Sequence, residues 1–204
     1  MLKLWGRLNS LNVQKVVLAL EEAGVAYERT DAGLQFGINK TPEYLAKNPM
    51  GLVPLFEDGD FVLWESNAIT RYICAKYMPA LYYNDLQARA DAERWMDWQA
   101  TLNGALVPAF YNLVRAEPSK RDMSAVEASL QKTAELFAMF DAHLRGRDFV
   151  AGQQFGFGDL GLAPIVHRWL HMPCERASIP HVEAWYQRLM QRQAFKRVLT
   201  LPLS

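Results

Sequence analysis

Residues 48–66, NPMGLVPLFEDGDFVLWES, decide the fold of the first part of the chain. Pro54 has no N–H to donate to a neighbouring strand, so it predicts the first residue of a strand rather than its middle. The Asp58-Gly59 pair lies between two apolar runs, which is a strong signal for a β-hairpin. A helix is predicted next, over about residues 67–77. Ser66 then lies at the helix N-terminus, where free backbone N–H groups and the helix dipole favour an anion.

The residues before this stretch predict an alternation of strands and helices. Apolar and polar residues alternate at 2–5, which indicates a strand, and residues 12–23 carry apolar side chains at helical spacing. A second strand is predicted at 25–30 and a short helix at 41–47. With the hairpin and its helix, the order is βαβ-α-ββα, which is the order of a thioredoxin-like α/β domain.

The second half of the chain predicts only helices. Residues 78–84 form a non-periodic connection that contains a proline, so we expect a domain boundary there. The two domains are predicted at 1–78 and 85–204. A single long helix is predicted over about 85–115, bent at the internal Pro108.

Two later helices have recognisable starts. Ser124-x-x-Glu127 has the spacing of a capping box and predicts a helix that Gly146 ends. Residues 155–170 are apolar on nearly every face before His167, which predicts a helix buried at the centre of its domain. Gly156 occupies the cap position of that helix, and we expect the Asp159 carboxylate to accept from the Gly156 N–H.

The composition argues against several classes of function. Lysine plus arginine and aspartate plus glutamate both number 22, so nothing indicates a nucleic acid or an acidic membrane surface as a partner. No apolar run approaches the roughly 20 residues of a membrane span. No signal-peptide segment opens the sequence. Cys74 and Cys174 form neither a disulfide framework nor a redox pair, so we expect a cytoplasmic protein.

Several spaced motifs resemble those of one family. The Val53-Pro54 turn, the hairpin and Glu65-Ser66 at a helix start look like the glutathione-binding half of a cytosolic glutathione S-transferase. The spacing Ser10-x-Asn12-x-x-Lys15-Val16 is similar to that of serine-type members, which indicates a phi/theta-like bacterial protein. The resemblance covers the whole chain. It implies a thioredoxin-like domain followed by an all-α domain, with glutathione as co-substrate and no metal.

The resemblance also implies which residues hold glutathione. They are Asn39, Lys40, Val53, Pro54, Glu65 and Ser66. In the family the X-Pro bond is cis, and the backbone of the residue before the proline pairs with the cysteinyl part of glutathione. Glu65-Ser66 would hold the γ-glutamyl end, and Asn39-Lys40 would hold the glycine carboxylate. The alternative that Lys40 is an ordinary solvated lysine of the loop stays open. Leu52 stands where phi members commonly have glutamine, which puts one side-chain hydrogen bond in doubt.

The transferase reaction needs the glutathione thiol as a thiolate. A free thiol has a pKa of about 8.5, so only a few per cent is ionised at pH 7. Lowering that pKa by about two units requires about 2.7 kcal/mol, which one charge-assisted hydrogen bond and a helix dipole can supply. Ser10 is the expected donor to the sulfur, and the Asn12 amide is the rival donor. An ordinary N-cap role for Ser10 stays open.

Residues that could line a pocket for the electrophile are placed only by analogy. They are Arg7, Phe36, Phe110, Tyr111, Arg115 and His167. His167 and His171 have the one-turn spacing of metal ligands, but no third ligand lies nearby in sequence, so packing or pocket lining is preferred to a metal site.

An enzyme is the leading hypothesis, in which the thiolate attacks a hydrophobic electrophile. The alternative is a non-catalytic binding or dimerisation module. Thiol–disulfide exchange would need a cysteine in place of Ser10, and a dinucleotide enzyme would need a glycine-rich fingerprint that does not follow the first strand. The sequence identifies neither the electrophile nor the presence of peroxidase or dehalogenase activity.

A homodimer is also predicted. The two helices expected to form its interface carry more apolar and aromatic residues than a two-domain core needs, namely Ile69, Tyr72, Ile73, Trp95 and Trp98. Closed two-fold dimers are the commonest assembly of soluble proteins, and dimers are the habit of the family.

Overall fold

The computed structural model describes residues 1–200 and residue 203. It contains two compact units, Met1–Asn84 and a second that begins at Asp85. The predicted end of the second domain, at residue 204, lies outside the described residues.

The first unit is a four-stranded mixed sheet with three helices. The strands are β1 (Leu2–Trp5), β2 (Tyr27–Thr30), β3 (Leu55–Asp58) and β4 (Phe61–Trp64). The helices are α1 (Leu11–Ala23), α2 (Pro42–Lys47) and α3 (Ser66–Tyr77). The sheet order is β2-β1-β3-β4, with β1 and β2 parallel and the other pairs antiparallel. The predicted βαβ-α-ββα order is therefore confirmed.

Local sequence explains how this unit turns and packs. Gly24 ends α1 in the left-handed region at φ 63°, and its N–H bonds to the carbonyls of the last helical turn. Leu4 pairs with Phe56 across the sheet, and both side chains are fully buried. Helices α1 and α3 pack against each other. One boundary differs from expectation, because β2 begins at Tyr27 rather than at Val25.

The second unit is entirely helical in the part that the structure describes. Its helices are α4 (Leu86–Phe110), α5 (Met123–Leu144), α6 (Phe157–His171), α7 (Pro180–Leu189) and α8 (Gln193–Val198). Helix α4 packs against both α5 and α6. It continues without a break into a π-helical turn at Tyr111–Arg115, where the Asn112 amide donates to the Pro108 carbonyl at 2.9 Å. The predicted single helix is confirmed, and its last turn closes with an i→i+5 hydrogen bond from the Ala116 N–H to the Tyr111 carbonyl.

The predicted start of α5 is wrong. Helix α5 begins at Met123, and the Asp122 carboxylate caps it by accepting from the Ala125 N–H at 3.0 Å. The Ser124 hydroxyl donates to the same carboxylate at 3.1 Å instead of capping the helix itself. Aspartate and serine cap equally well, so the spacing Ser124-x-x-Glu127 did not distinguish between the two starts.

The prediction for α6 is confirmed. Its residues from Phe157 to Trp169 are all buried. One oxygen of Asp159 accepts from the Gly156 N–H at 2.9 Å, as expected. The other accepts from the Val150 N–H at 2.9 Å and from the Trp185 indole at 2.7 Å. Burial raises the pKa of Asp159 to about 6, although these three donors oppose the rise.

Helix α6 also comes close to α4. A β-carbon built at Gly158 would lie 3.1 Å from the Ala92 Cβ, so only a small residue permits this approach. Among residues 1–200 and 203, no helix combines the length and the apolar character that crossing a bilayer requires.

Candidate functional site

Ser10 occupies the N-cap position of α1. Its backbone is extended, at φ −84° and ψ 123°, and its carbonyl accepts from the Gln14 N–H at 2.9 Å. Its side chain makes no capping hydrogen bond to the helix. Ser10 is buried, with 8% of its surface exposed. Ser10 therefore occupies the N-cap position of α1, but its hydroxyl does not cap the helix.

The Val53-Pro54 peptide bond is cis, as the resemblance implies. The turn before it is held by two donors to the Leu52 carbonyl, the Tyr44 hydroxyl at 2.6 Å and the Asn48 amide at 2.9 Å. Burial raises the pKa of Tyr44 to about 12, so its hydroxyl keeps the proton that it donates. Sequence reasoning missed Tyr44 and Asn48, because both contacts depend on the fold of this turn.

The first turn of α3 has an unusual backbone. Glu65 precedes the helix with φ 72°, a conformation that non-glycine residues seldom adopt and that is concentrated at functional sites. Ser66 is the first residue of the helix and is 6% exposed. Its hydroxyl donates to the Asn12 Oδ1 at 3.2 Å. This hydrogen bond joins the first turn of α3 to the first turn of α1.

Lys15 also contacts the first turn of α3. Its spacing from Ser10 was noted in the sequence, but no role was predicted for it. Its Nζ donates to the Ser66 Oγ at 3.4 Å and to the Asn67 Oδ1 at 3.0 Å. Burial lowers the pKa of Lys15 to about 7; the negative charge of Glu65 opposes this change and the positive charge of Arg71 adds to it. The signal in the sequence was a lysine on the apolar face of α1.

Asn39 and Lys40 meet at Gly51. The Asn39 amide donates to the Gly51 carbonyl at 2.7 Å. A β-carbon built at Gly51 would lie 2.6 Å from the Lys40 Nζ, and the glycine adopts φ 59°. Any other residue would therefore be strained here and would displace the lysine. The structure brings both predicted side chains to the turn that leads to Val53.

Arg7 and Phe36 belong to the first unit. A β-carbon built at Gly33 would lie 2.8 Å from one guanidinium nitrogen of Arg7 and 3.4 Å from a methyl group of Val53. Arg7 is thus close to the cis turn. Phe36 ends a short 3-10 turn and is 43% exposed.

The other electrophile candidates belong to the helical unit. Tyr111 is 57% exposed at the start of the π-helical turn. Phe110 is buried, and its ring faces two guanidinium groups, Arg168 at 3.8 Å and Arg115 at 4.9 Å from the ring centroid. Burial lowers the pKa of Arg115. The structure therefore brings Phe110 and Arg115 together.

His167 lies in the interior of the helical unit. Its Nδ1 accepts from the Tyr186 hydroxyl at 2.6 Å, and its Nε2 lies 3.3 Å from the Thr200 carbonyl, so a neutral ring protonated at Nε2 satisfies both contacts. Burial, together with a smaller effect of the neighbouring His171, lowers the pKa of His167 to about 4. The placement favours packing over pocket lining. No group of three potential metal ligands occurs among residues 1–200 and 203.

The residues suggested for a dimer interface are only partly available. Ile69 and Ile73 are fully buried within the first unit, and Trp95 is buried within the second. Tyr72 donates to an Asp58 carboxylate oxygen at 2.7 Å. The expectation that these residues exceed what the chain itself buries was wrong for the two isoleucines and Trp95, because helical periodicity does not distinguish internal from intermolecular burial.

Comparison with known proteins identifies relatives along the whole chain. Residues 1–75 match the family model for the glutathione S-transferase N-terminal domain, and residues 96–193 match the model for the C-terminal domain. Glutathione S-transferase GstB of Escherichia coli strain K12 is 43% identical over 208 residues, with 100% of both chains covered. Glutathione S-transferase 4 of Zea mays is 34% identical over 204 residues, covering 96% of this chain and 91% of the maize protein.

A solved structure is similar throughout. The theta-class glutathione S-transferase of Xanthomonas axonopodis pv. citri, crystallised with glutathione bound, superposes with a TM-score of 0.97. It is 44% identical in sequence, and the match covers 100% of this chain and 99% of that one.

Proposed function

Because the chain belongs to the glutathione S-transferase family, we propose that it binds glutathione across the starts of α1 and α3 and ionises the thiol with the Ser10 hydroxyl. The observation that carries this proposal is the Ser66–Asn12 hydrogen bond of 3.2 Å. It joins two helix N-termini, each with free N–H groups and a partial positive charge. Glutathione brings two anions, a γ-glutamyl carboxylate and a thiolate, that such an arrangement stabilises.

Each part of glutathione has a partner in the glutathione-binding domain that we propose at residues 1–78. Ser66 binds the γ-glutamyl carboxylate and Glu65 its ammonium group. The Val53 backbone pairs with the cysteinyl part beside the cis bond to Pro54. Lys40 binds the glycine carboxylate as a point charge, with Asn39 holding the turn at Gly51 through its 2.7 Å hydrogen bond.

The chemical step uses the stabilised thiolate as the nucleophile. The thiol proton leaves to solvent, and the Ser10 hydroxyl donates to the sulfur anion at the positive end of α1. The sulfur then forms a bond to an electrophilic carbon, and the electron pair leaves with a departing group or moves into a conjugated acceptor. Asn12 accepts from Ser66 with its Oδ1, which leaves the Asn12 Nδ2 as the rival donor to the sulfur.

The helical unit, proposed at 85–204, supplies residues that bind a hydrophobic electrophile. Tyr111 offers an exposed aromatic surface, and Arg115 lies one turn further along. We also propose a homodimer in the cytoplasm. The two cysteines are free, which suits a reducing compartment.

Calorimetric titration with glutathione, followed by a panel of aryl halides, enals, isothiocyanates, peroxides and haloalkanes, tests the proposal. Saturable binding and turnover with at least one electrophile are expected. Binding without turnover across the panel would favour the non-catalytic module. No binding at millimolar glutathione would refute the proposed site altogether.

A further inference from the structure

The Ser129 hydroxyl of α5 contacts the backbone of α4 in the turn that contains Pro108. It accepts from the Ala109 N–H at 3.1 Å and donates to the Ala105 carbonyl. These two groups lie four residues apart, so they are the donor and the acceptor of one α-helical hydrogen bond. A side chain that enters the hydrogen-bond ladder of a helix is a known cause of a bend, as is a proline. Ser129 is buried, so this contact acts on α4 from inside the unit.

The Asn112 side chain acts on the next turn. Its amide donates to the Pro108 carbonyl at 2.9 Å, which is the carbonyl that the Asn112 backbone N–H would reach in a regular α-helix. Its Oδ1 accepts from the N–H of Asp122, the N-cap residue of α5, at 2.7 Å. This buried amide therefore ties the end of α4 both to the preceding turn and to the start of α5.

The π turn changes which residue lies against Phe110. In an α-helix its neighbours in the next turn are Leu113 and Val114, three and four residues on. Here the Arg115 guanidinium, five residues on, lies 4.9 Å from the centroid of the Phe110 ring. One extra residue in a turn rotates the residues beyond it by about 100° around the helix axis. The π turn therefore sets the side-chain positions from Tyr111 to Arg115.

We propose that Ser129 and Asn112 are positioning residues for the electrophile: they keep the end of α4 in its π-helical form and so fix Tyr111 and Arg115 where they contact the substrate. The inference rests on the proposed function, in which the last two side chains bind the electrophile. Ser129 and Asn112 themselves do not touch the substrate, and no covalent bond changes through them. Single π turns within α-helices are rare and occur frequently at functional sites, so one that two buried side chains hold points to a role in binding.

The test compares two glutathione conjugates, S-methylglutathione and S-benzylglutathione, by calorimetric titration of the full chain. The two differ only by a phenyl ring, so the ratio of their affinities measures the contacts of that ring with the electrophile-binding residues. Neither conjugate has a thiol, so the ionisation by Ser10 does not affect the ratio. Wild type is expected to bind the benzyl conjugate about tenfold or more tightly, because the ring buries apolar surface.

Two variants remove the positioning contacts. Ser129→Ala and Asn112→Leu are each expected to lower the affinity ratio to about twofold and to leave the affinity for S-methylglutathione unchanged, since a small displacement of binding residues is sufficient. Ser124→Ala is the matched control. It removes an exposed hydroxyl that donates to the Asp122 carboxylate at 3.1 Å and not to α4, so it should keep the wild-type ratio.

A double-mutant cycle separates positioning from stability. Tyr111→Ala combined with Arg115→Met removes the two side chains through which Ser129 is proposed to act, and should itself lower the ratio. In that background Ser129→Ala should lower the ratio no further, although urea unfolding should still show that it destabilises the protein. A further loss as large as the loss in wild type would overturn the inference.

Hydrogen exchange tests the π turn in wild type, even if no variant folds. The Ala116 amide donates to the Tyr111 carbonyl at 2.8 Å, so it should exchange with deuterium at least about tenfold more slowly than in an unfolded chain. Exchange at the unfolded rate would mean that this turn does not close in solution and would overturn the inference.

The calorimetric outcomes distinguish this inference from the proposed function. Variants that unfold more easily but keep the wild-type ratio would show a purely structural role and would overturn the inference alone. Equal affinities of wild type for the two conjugates would overturn it together with the proposed electrophile-binding residues. Wild type that fails to bind S-methylglutathione would overturn the proposed function as a whole.

Discussion

Replacing Ser10 by alanine should lower turnover far more than it lowers glutathione affinity or stability. The hydroxyl is expected to interact with the ionised sulfur and not with the tripeptide as a whole. Its loss therefore removes an interaction that exists only once the thiol has ionised. The Michaelis constant for glutathione should change little, whereas kcat should fall.

The structure sets the size of the two effects. A serine that caps a helix contributes about 1 kcal/mol, but the Ser10 side chain makes no capping hydrogen bond. We therefore expect Ser10→Ala to reduce the free energy of unfolding by about 0.5 kcal/mol or less. A hydrogen bond to a charged group is worth about 1.5–3 kcal/mol, which corresponds to a roughly ten- to hundredfold loss of rate.

The assay is the thiolate absorbance of bound glutathione against pH, with urea unfolding as the stability control. In Ser10→Ala the pKa of the bound thiol should rise by about one to two pH units towards its free value. Asn12→Ala is the matched variant, and because Asn12 accepts from Ser66, it should mainly weaken glutathione binding. If Ser10→Ala leaves the titration unchanged and Asn12→Ala shifts it, the donor is Asn12 and the assignment is refuted.

Further predictions concern binding, stability and assembly. Glu65→Gln and Ser66→Ala should each weaken glutathione binding by about 1.5–3 kcal/mol without unfolding the protein, and unchanged Michaelis constants would contradict the site. Asp159→Ala leaves three buried donors without their acceptor, so urea unfolding should show a loss of about 3–5 kcal/mol; a loss below 1 kcal/mol would be inconsistent with the three bonds. The pKa of His167 is lowered to about 4, so its contribution to stability is complete above about pH 6.5 and is lost as the pH falls towards 4, by up to about 3 kcal/mol. His167→Gln should flatten that part of the pH profile of unfolding. Light scattering at micromolar concentration should give a dimer mass, and a monomer mass would contradict the proposed assembly.

Local features of the sequence were sufficient for the architecture of the first unit. The turn at Val53-Pro54 and the hairpin at Asp58-Gly59 depend on backbone preferences of a few adjacent residues. The Asp159 carboxylate reaches a donor only three residues away, so that contact was also predictable. Such local interactions can be predicted without knowing which residues distant in sequence pack nearby.

Contacts between distant residues were decided by the tertiary structure. Lys15 and Ser66 are separated by 51 residues, and the sequence showed only a lysine on an apolar helix face. Ile69 and Ile73 were recognisable as apolar positions of a helix face and were assigned to a dimer interface, but their partners lie inside the unit. Periodicity identifies which face of a helix avoids water, whereas the packing of one helix against another decides what that face contacts. The buried charge beside Ser66 arises at such a helix contact, because α1 and α3 pack against each other.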